Sequence, residues 1–499
     1  MRRRELLISL AAASLAGGCS GERPSHAPSG RPGIRGQAAF PRAVLSAGVN
    51  VRHDPYRAIG DGVADDTGAF ASARDAAGPS GVVAVPAGTY LLSNLELDVA
   101  SQTWCLMSGA TLLLKPATSN PLVTVSANGV TIEGPGTMDG NLAHQRGSQG
   151  GGTILITGNR VTLRNLMIQN CNGYGVLFDN ADHGTVTGCV LRNTWQEAIE
   201  YQSTGDYMGP VITGNRISNY ERGTESISGG IGVTTNGSGY VTDVVIAENE
   251  IEVYPLYWGQ LSDVNSCIAV FYGKGFVISG NTLRGSCLAI TLPHSIDGAI
   301  SCNHITGYAF NAIEITNASS LAVSGNSIID TNPRGASHNA AIPILEVCRE
   351  VTVTGNSITQ ITPEASTFLV ASGSAPDVHD VVISGNTIGK SGGGTVVECG
   401  PKATNLTIRG NIFDCSGTDC TGIYLSTDAT TRQGVVIADN QISNYGAGAG
   451  IVYGAPGTRG AIDYVTVQGN VFRAGARGIV QGGESPWGPH ESVVGNVGP

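Results

Sequence analysis

One phrase recurs from about residue 160 to the end of the chain, and it leaves few folds open. An alternating apolar run leads to a small residue, an asparagine, one further residue and then an aliphatic or aromatic side chain. It appears as VITGNRI (211–217), VIAENEI (245–251), VISGNTL (277–283), AISCNHI (299–305) and AVSGNSI (322–328). It continues as VTVTGNSI (351–358), VVISGNTI (381–388), LTIRGNIF (406–413), VVIADNQI (435–442) and VTVQGNVF (465–472). Anchors at Asn165, Cys189, Asn215, Asn249, Asn281, Asn303, Asn326, Asn356, Asn386, Asn411, Asn440, Asn470 and Asn496 are 22 to 34 residues apart, about 28 on average.

Alternation with period two means strands, not helices. Several short strands per unit, with glycine and asparagine at the corners, describe one coil of a parallel β-solenoid. Asparagine suits a corner because it tolerates left-handed backbone angles, and its amides can form a ladder between coils stacked about 4.8 Å apart. A second strand follows each corner, as in GVLF, AIEY, GIGV, CIAV, LAIT and AIEI, with aliphatics inward and the variable position outward. Leucine-rich repeats and propellers have different unit lengths and patterns.

The chain has 499 residues, of which 71 are glycine and only 13% are charged. A solenoid can run this long as one unit. The net charge of −11 argues against a nucleic-acid partner. Arg2, Arg3 and Arg4 precede a short apolar run ending LAGGC, the pattern of an export leader too short to span a bilayer. The order from Arg3 to Leu7 resembles a twin-arginine signal, and LAGGC resembles a lipoprotein cleavage site with Cys19 as the lipidated residue. Residues 20–45 read as a flexible tether before one domain over 46–499, and the expected location is the periplasm or cell envelope, with membrane contact only through the lipid. Of the ten cysteines after Cys19, Cys415 and Cys420 can close a small loop, and no His/Cys spacing suits zinc.

The acidic stretch GDGVADDTGAF (60–70) reads as a cap. Asp65, Asp66 and Thr67 are helix N-cap residues, Phe70, Ala73 and Ala77 share one face, and Gly78–Pro79 ends the helix. A calcium loop needs oxygen ligands where this stretch has Val63. The sequence from Gly60 to Ser93 resembles the opening of the pectate-lyase-like, rhamnogalacturonase/epimerase-like superfamily of right-handed parallel β-helices. VTIEGPGTMDGN (130–141) is similar to that superfamily's first-coil phrase. The resemblance implies an all-β right-handed parallel β-helix with a short N-terminal capping helix and a carbohydrate chain along an outward β-face. Hydrolases, lyases, epimerases and tailspikes share that fold, so the fold leaves the reaction open.

In the polygalacturonase-like branch, paired aspartates precede a strand and a Gly-His-Gly motif follows one coil later. Here Gln196 and Glu197 occupy the aspartate places, and the next coil, ISGGIGV, lacks the histidine. Read from the residues, Glu197, Glu200 and Asp179 are the catalytic candidates for a glycoside hydrolase, because two carboxyls about 5–9.5 Å apart serve as acid and base. Trp195, Tyr254, Tyr257 and Trp258 are sugar-stacking candidates, with Tyr220 in the same pair of long insertions. Glu314 repeats the slot of Glu200 several coils on and reads as solvent-facing. A lyase or C5-epimerase would instead use Lys274, His294 and Asp297, with Tyr272 nearby and Arg222 and Arg284 neutralising a uronate. The PHS at 293–295 is weakly similar to the proline-histidine-acid motif of alginate epimerases. No cofactor is expected, apart from calcium if the enzyme is a lyase. A non-catalytic binding or scaffold solenoid is the third reading.

Overall fold

The structure is a computed structural model. It describes residues 48–499 except 119, 146–150, 220–228, 255–264, 331–339, 363–364, 372–376, 392, 417–418, 427–431, 455–461, 482–490 and 499. Cys19 and the leader, Tyr220, Arg222, Tyr257 and Trp258 lie outside the described residues.

From Val49 onward the chain winds as a parallel β-helix. All strand pairings join one coil to the next in parallel, within sheets of 20 and 29 strands. Each coil of the middle region contributes three main strands, and some add a short fourth, as at Tyr207–Met208 and Val241–Thr242. The first stack runs through Thr185–Thr187, Val211–Thr213, Val245–Ala247 and Val277–Ser279. The second follows the asparagine corner, through Val190–Thr194, Arg216–Ser218, Glu250–Val253 and Thr282–Gly285. The third runs through Tyr174–Asp179, Ile199–Ser203, Ile231–Thr235, Ser266–Val270, Leu288–Pro293 and Asn311–Thr316. Inward aliphatics such as Ile199, Ile231, Ile268, Ile290 and Ile313 stack in register and are fully buried. The core is therefore a set of apolar columns, each extended by one residue per coil.

The asparagine repeat forms a continuous ladder. Each Nδ2 from Asn215 to Asn470 donates to the Oδ1 of the next asparagine at 2.9–3.0 Å, ending on Asn496. Each also donates to a backbone carbonyl of the coil before, as Asn326 does to Ile300 at 3.0 Å. The backbone differs from the sequence expectation. The left-handed residue is not the asparagine but the one before it, Gly214 at φ 64°, Gly280 at 66°, Gly355 at 64°. Asn165 belongs to that preceding position, since Arg164 pairs with Thr187 and Asn165 thus sits opposite Gly188. The residue aligned with Cys189 is Leu166, so the ladder begins at Asn215, whose Oδ1 accepts the Cys189 amide at 2.9 Å.

At the N-terminal end a helix, Thr67–Ala77, buries Phe70 and Ala73. Phe70 meets Tyr90 edge-on at 5.1 Å and stacks on Trp104 at 6.1 Å, covering apolar ends that a solenoid otherwise exposes. Asp66 occupies the N-cap position but makes no side-chain cap bond. Its carboxylate accepts the amides of Ile59 and Gly60 at 2.6 and 2.9 Å. Asp61 accepts the Val63 and Ala64 amides, and Asp65 accepts from Thr67 and Lys115. The aspartates of the opening stretch thus fasten backbone. Among the described residues, no helix is long and apolar enough to cross a membrane.

Candidate active site

The outward positions of the third stack form a column of strict register. Leu177 pairs with Glu200, Glu200 with Gly232, Gly232 with Ala269, Ala269 with Thr291 and Thr291 with Glu314. Gly232, Ala269 and Thr291 make a floor of small residues, with a glutamate at each end. Four coil steps separate the two acids, about 19 Å at the usual strand spacing.

Glu200 leans over that floor. A Cβ at Gly232 would lie 1.8 Å from its Oε2, and its Oε1 accepts a 3.0 Å bond from the Thr234 hydroxyl. Only 6% of Glu200 is exposed although its strand position faces outward. Burial pushes its carboxyl well above the ordinary carboxylate range, and the charge of Glu197 pushes it further. Glu197, half-buried, lies against Gly229, with its Oε1 3.3 Å from where a Cβ would stand. Burial also raises its pKa. Tyr174 occupies the same line one coil earlier, because Gly175 donates to the Glu197 carbonyl. Its phenol is held above its usual pKa by burial and then by the charges of Glu200 and Glu197. The Gln196 Oε1 beside them is buried and has no hydrogen-bond partner among the described residues.

The remaining candidates divide in two. Asp179 pairs in register with Gln202, two residues along from Glu200, and accepts a 2.8 Å bond from Asn180. Trp195 is half-buried in the turn leading to Glu197, and Tyr254, also half-buried, gives its carbonyl to Asn265 at 2.7 Å. Glu314 is not simply solvent-facing: Thr291 and Asn311 donate to it at 3.2 and 2.8 Å, and burial raises its pKa. By chain order the two long insertions lead into Gly229 and Asn265, at the edge of the same floor.

Lys274, His294 and Asp297 form a separate group at the corner between the third and first stacks. The Tyr272 and His294 rings stack at 4.7 Å, and Lys274 Nζ lies 5.9 Å from the Tyr240 ring. His294 is three residues beyond Thr291, which is itself three coils from Glu200. That places it about 14 Å along the axis and about 10 Å along the strand from Glu200. Arg284 lies on the second stack, donating to Glu250 at 3.0 Å. Tyr174, Thr234, Gly229 and Gly232 are parts of the site that sequence reasoning did not single out. The only signal for them was coil-to-coil register. Among the described residues, no group of three or more His, Cys, Asp or Glu side chains is placed to hold a metal ion.

Residues 117–252, which include both glutamates, match the family described as right handed beta helix region. The chain is a right-handed parallel β-helix. No curated protein matches the sequence. Among solved structures, the mannuronan C-5 epimerase AlgE4 A-module of Azotobacter vinelandii is 16% identical, with 89% of this chain and 100% of that one covered, at a TM-score of 0.47. The Streptococcus pneumoniae surface adhesin PfbA is 15% identical over 87% of this chain and 93% of that one, TM-score 0.42. A Yersinia enterocolitica family 28 exopolygalacturonase is 13% identical over 87% and 78%, TM-score 0.35.

Proposed function

We propose that this protein is a polysaccharide-acting enzyme, a glycoside hydrolase, whose sugar chain lies along the outward face of the third stack. What supports this reading is one observation: two neighbouring carboxyls, Glu197 and Glu200, share a partly enclosed site beside a floor of small residues. Two acids that close cannot both ionise at low cost, so one is kept protonated. Glu200, the more buried, is the acid that protonates the glycosidic oxygen. Glu197, the more open, is the carboxylate that stabilises or attacks the sugar carbon or activates water. Asp179 is a third carboxylate beside that pair, and Trp195 supplies a ring against the sugar.

The test is incubation of the protein with bacterial and plant polysaccharides, followed by assay of new reducing ends and of unsaturated uronate absorbance in the same samples. Reducing ends without unsaturation are expected, with loss of at least a hundredfold in Glu200→Gln, in line with the usual size of an acid–base contribution. Unsaturated product would move the reaction to β-elimination at the Lys274, His294 and Asp297 group, where a cation and an imidazole share one corner. Unchanged ligand binding with no turnover in either variant or parent would favour the non-catalytic binding solenoid.

A further inference from the structure

The five strands of the third stack from Ile199–Ser203 to Asn311–Thr316 carry two charged side chains, Glu200 and Glu314. None of the five contains Lys, Arg or His. The two acids share one outward line with Gly232, Ala269 and Thr291, and they lean toward each other along it. Glu200 reaches forward one coil, where its Oε2 takes the space of a Cβ at Gly232. Glu314 reaches back one coil, where its Oε1 accepts from the Thr291 hydroxyl at 3.2 Å. Its Oε2 accepts from Asn311 at 2.8 Å, and Asn311 is fully buried.

The carboxyls therefore stand over the coils of Gly232 and Thr291, with Ala269 between them. Gly232 is buried and Thr291 only 3% exposed, whereas Ala269 is half-buried. Two coil steps, about 10 Å, separate Gly232 from Thr291, room for one sugar unit hydrogen-bonded at each end. A carboxylate oxygen has two lone pairs, and each oxygen of Glu314 accepts one bond from within the protein. The second lone pair can accept a sugar hydroxyl. A carboxylate on that sugar would instead meet Glu314 at one end and the charge of the Glu197 and Glu200 pair at the other. The cations that could offset this stand elsewhere. Arg284 bonds Glu250 on the second stack, and His294 is three residues, about 10 Å, along the chain from Thr291.

Given a polysaccharide on this face, we infer that the unit over Ala269 is an uncharged sugar and that Glu314 is the specificity-determining residue, accepting its hydroxyls and rejecting a uronate. The substrate is then a neutral glycan at this position and not a polyuronate.

Isothermal titration calorimetry of the purified protein at low ionic strength, where charge effects are largest, tests this with matched polymers. Galacturonan is compared with its methyl ester and polymannuronate with mannan, and xylan and β-glucan serve as further neutral probes. A neutral polymer should bind about tenfold or more tighter than its uronate counterpart. Ala269→Leu, which fills the gap, should weaken that binding about tenfold, while Ala269→Ser should leave it nearly unchanged. Glu314→Gln should narrow the preference for the neutral polymer. Tighter binding of a uronate polymer, or unchanged binding in Ala269→Leu, would overturn the inference and leave the polysaccharide reading standing. Binding of a neutral polymer without new reducing ends would sink the hydrolase and keep the neutral subsite. Binding of none of these polymers by the parent would overturn both.

Discussion

At the scale of residues, the position of Glu200 is a contest between strand geometry and burial. Alternation points the side chain outward, yet the missing side chain at Gly232 lets the carboxyl fold down onto the next coil. There the neutral form is favoured, because water is displaced and Glu197 is adjacent. The consequence for stability has a definite sign. Between 4.5, the ordinary value, and the raised one, the folded chain keeps a proton that the unfolded chain releases. Stability should therefore fall as pH rises through that window. Glu200→Gln should flatten the slope, read as the urea midpoint across the acidic-to-neutral range. Gly232→Ala should do the same by another route, since a methyl 1.8 Å from Oε2 drives the carboxyl back into water, and any hydrolysis should fall with it. A slope unchanged in both variants would contradict the burial argument. The outward slot of Glu200 was legible in the sequence from AIEY alone. Its depth was not, because Tyr174 and Gly232 come from the coils on either side, 26 and 32 residues away in sequence.

At the scale of elements, the asparagine corner decides where each coil turns. Asn326 accepts the amide and the side chain of Asn303 and donates to Ile300 and Asn356. Asn326→Ala strands several buried polar groups at once and should cost about 2–5 kcal/mol, since each unsatisfied group costs about 1–3 kcal/mol. Asn496→Ala, at the last and more exposed rung, should cost less than half as much. Denaturant midpoints of the two variants check the contrast, and equal losses would count against the ladder. The repeat itself could be read directly, because a side chain needed in every coil must recur in the sequence. The assignment of the left-handed angle could not, because glycine and asparagine are adjacent and both tolerate it. Asn165 shows the ambiguity: there asparagine takes the place that Gly188 holds one coil later.

At the scale of the whole molecule, an export leader at the N-terminus would set where the solenoid works. If Cys19 carries a lipid, the proposed sugar-binding face operates at the cell envelope. Labelling of the expressed protein with a fatty acid should be lost in Cys19→Ala, and that variant should be released to the soluble fraction. Persistence of the label would place any anchor elsewhere. Within the solenoid, the amide-to-amide bonds from Asn215 to Asn496 all run one way, each Nδ2 donating to the asparagine of the next coil. Their dipoles therefore add, making a polarised chain with its negative pole at the Asn215 oxygen and its positive pole at Asn496. Asn215 opens the coil of Gly229 and Gly232, the floor on which Glu197 and Glu200 rest. The negative pole of the ladder thus falls in the coil that also supplies the floor of the carboxyl site.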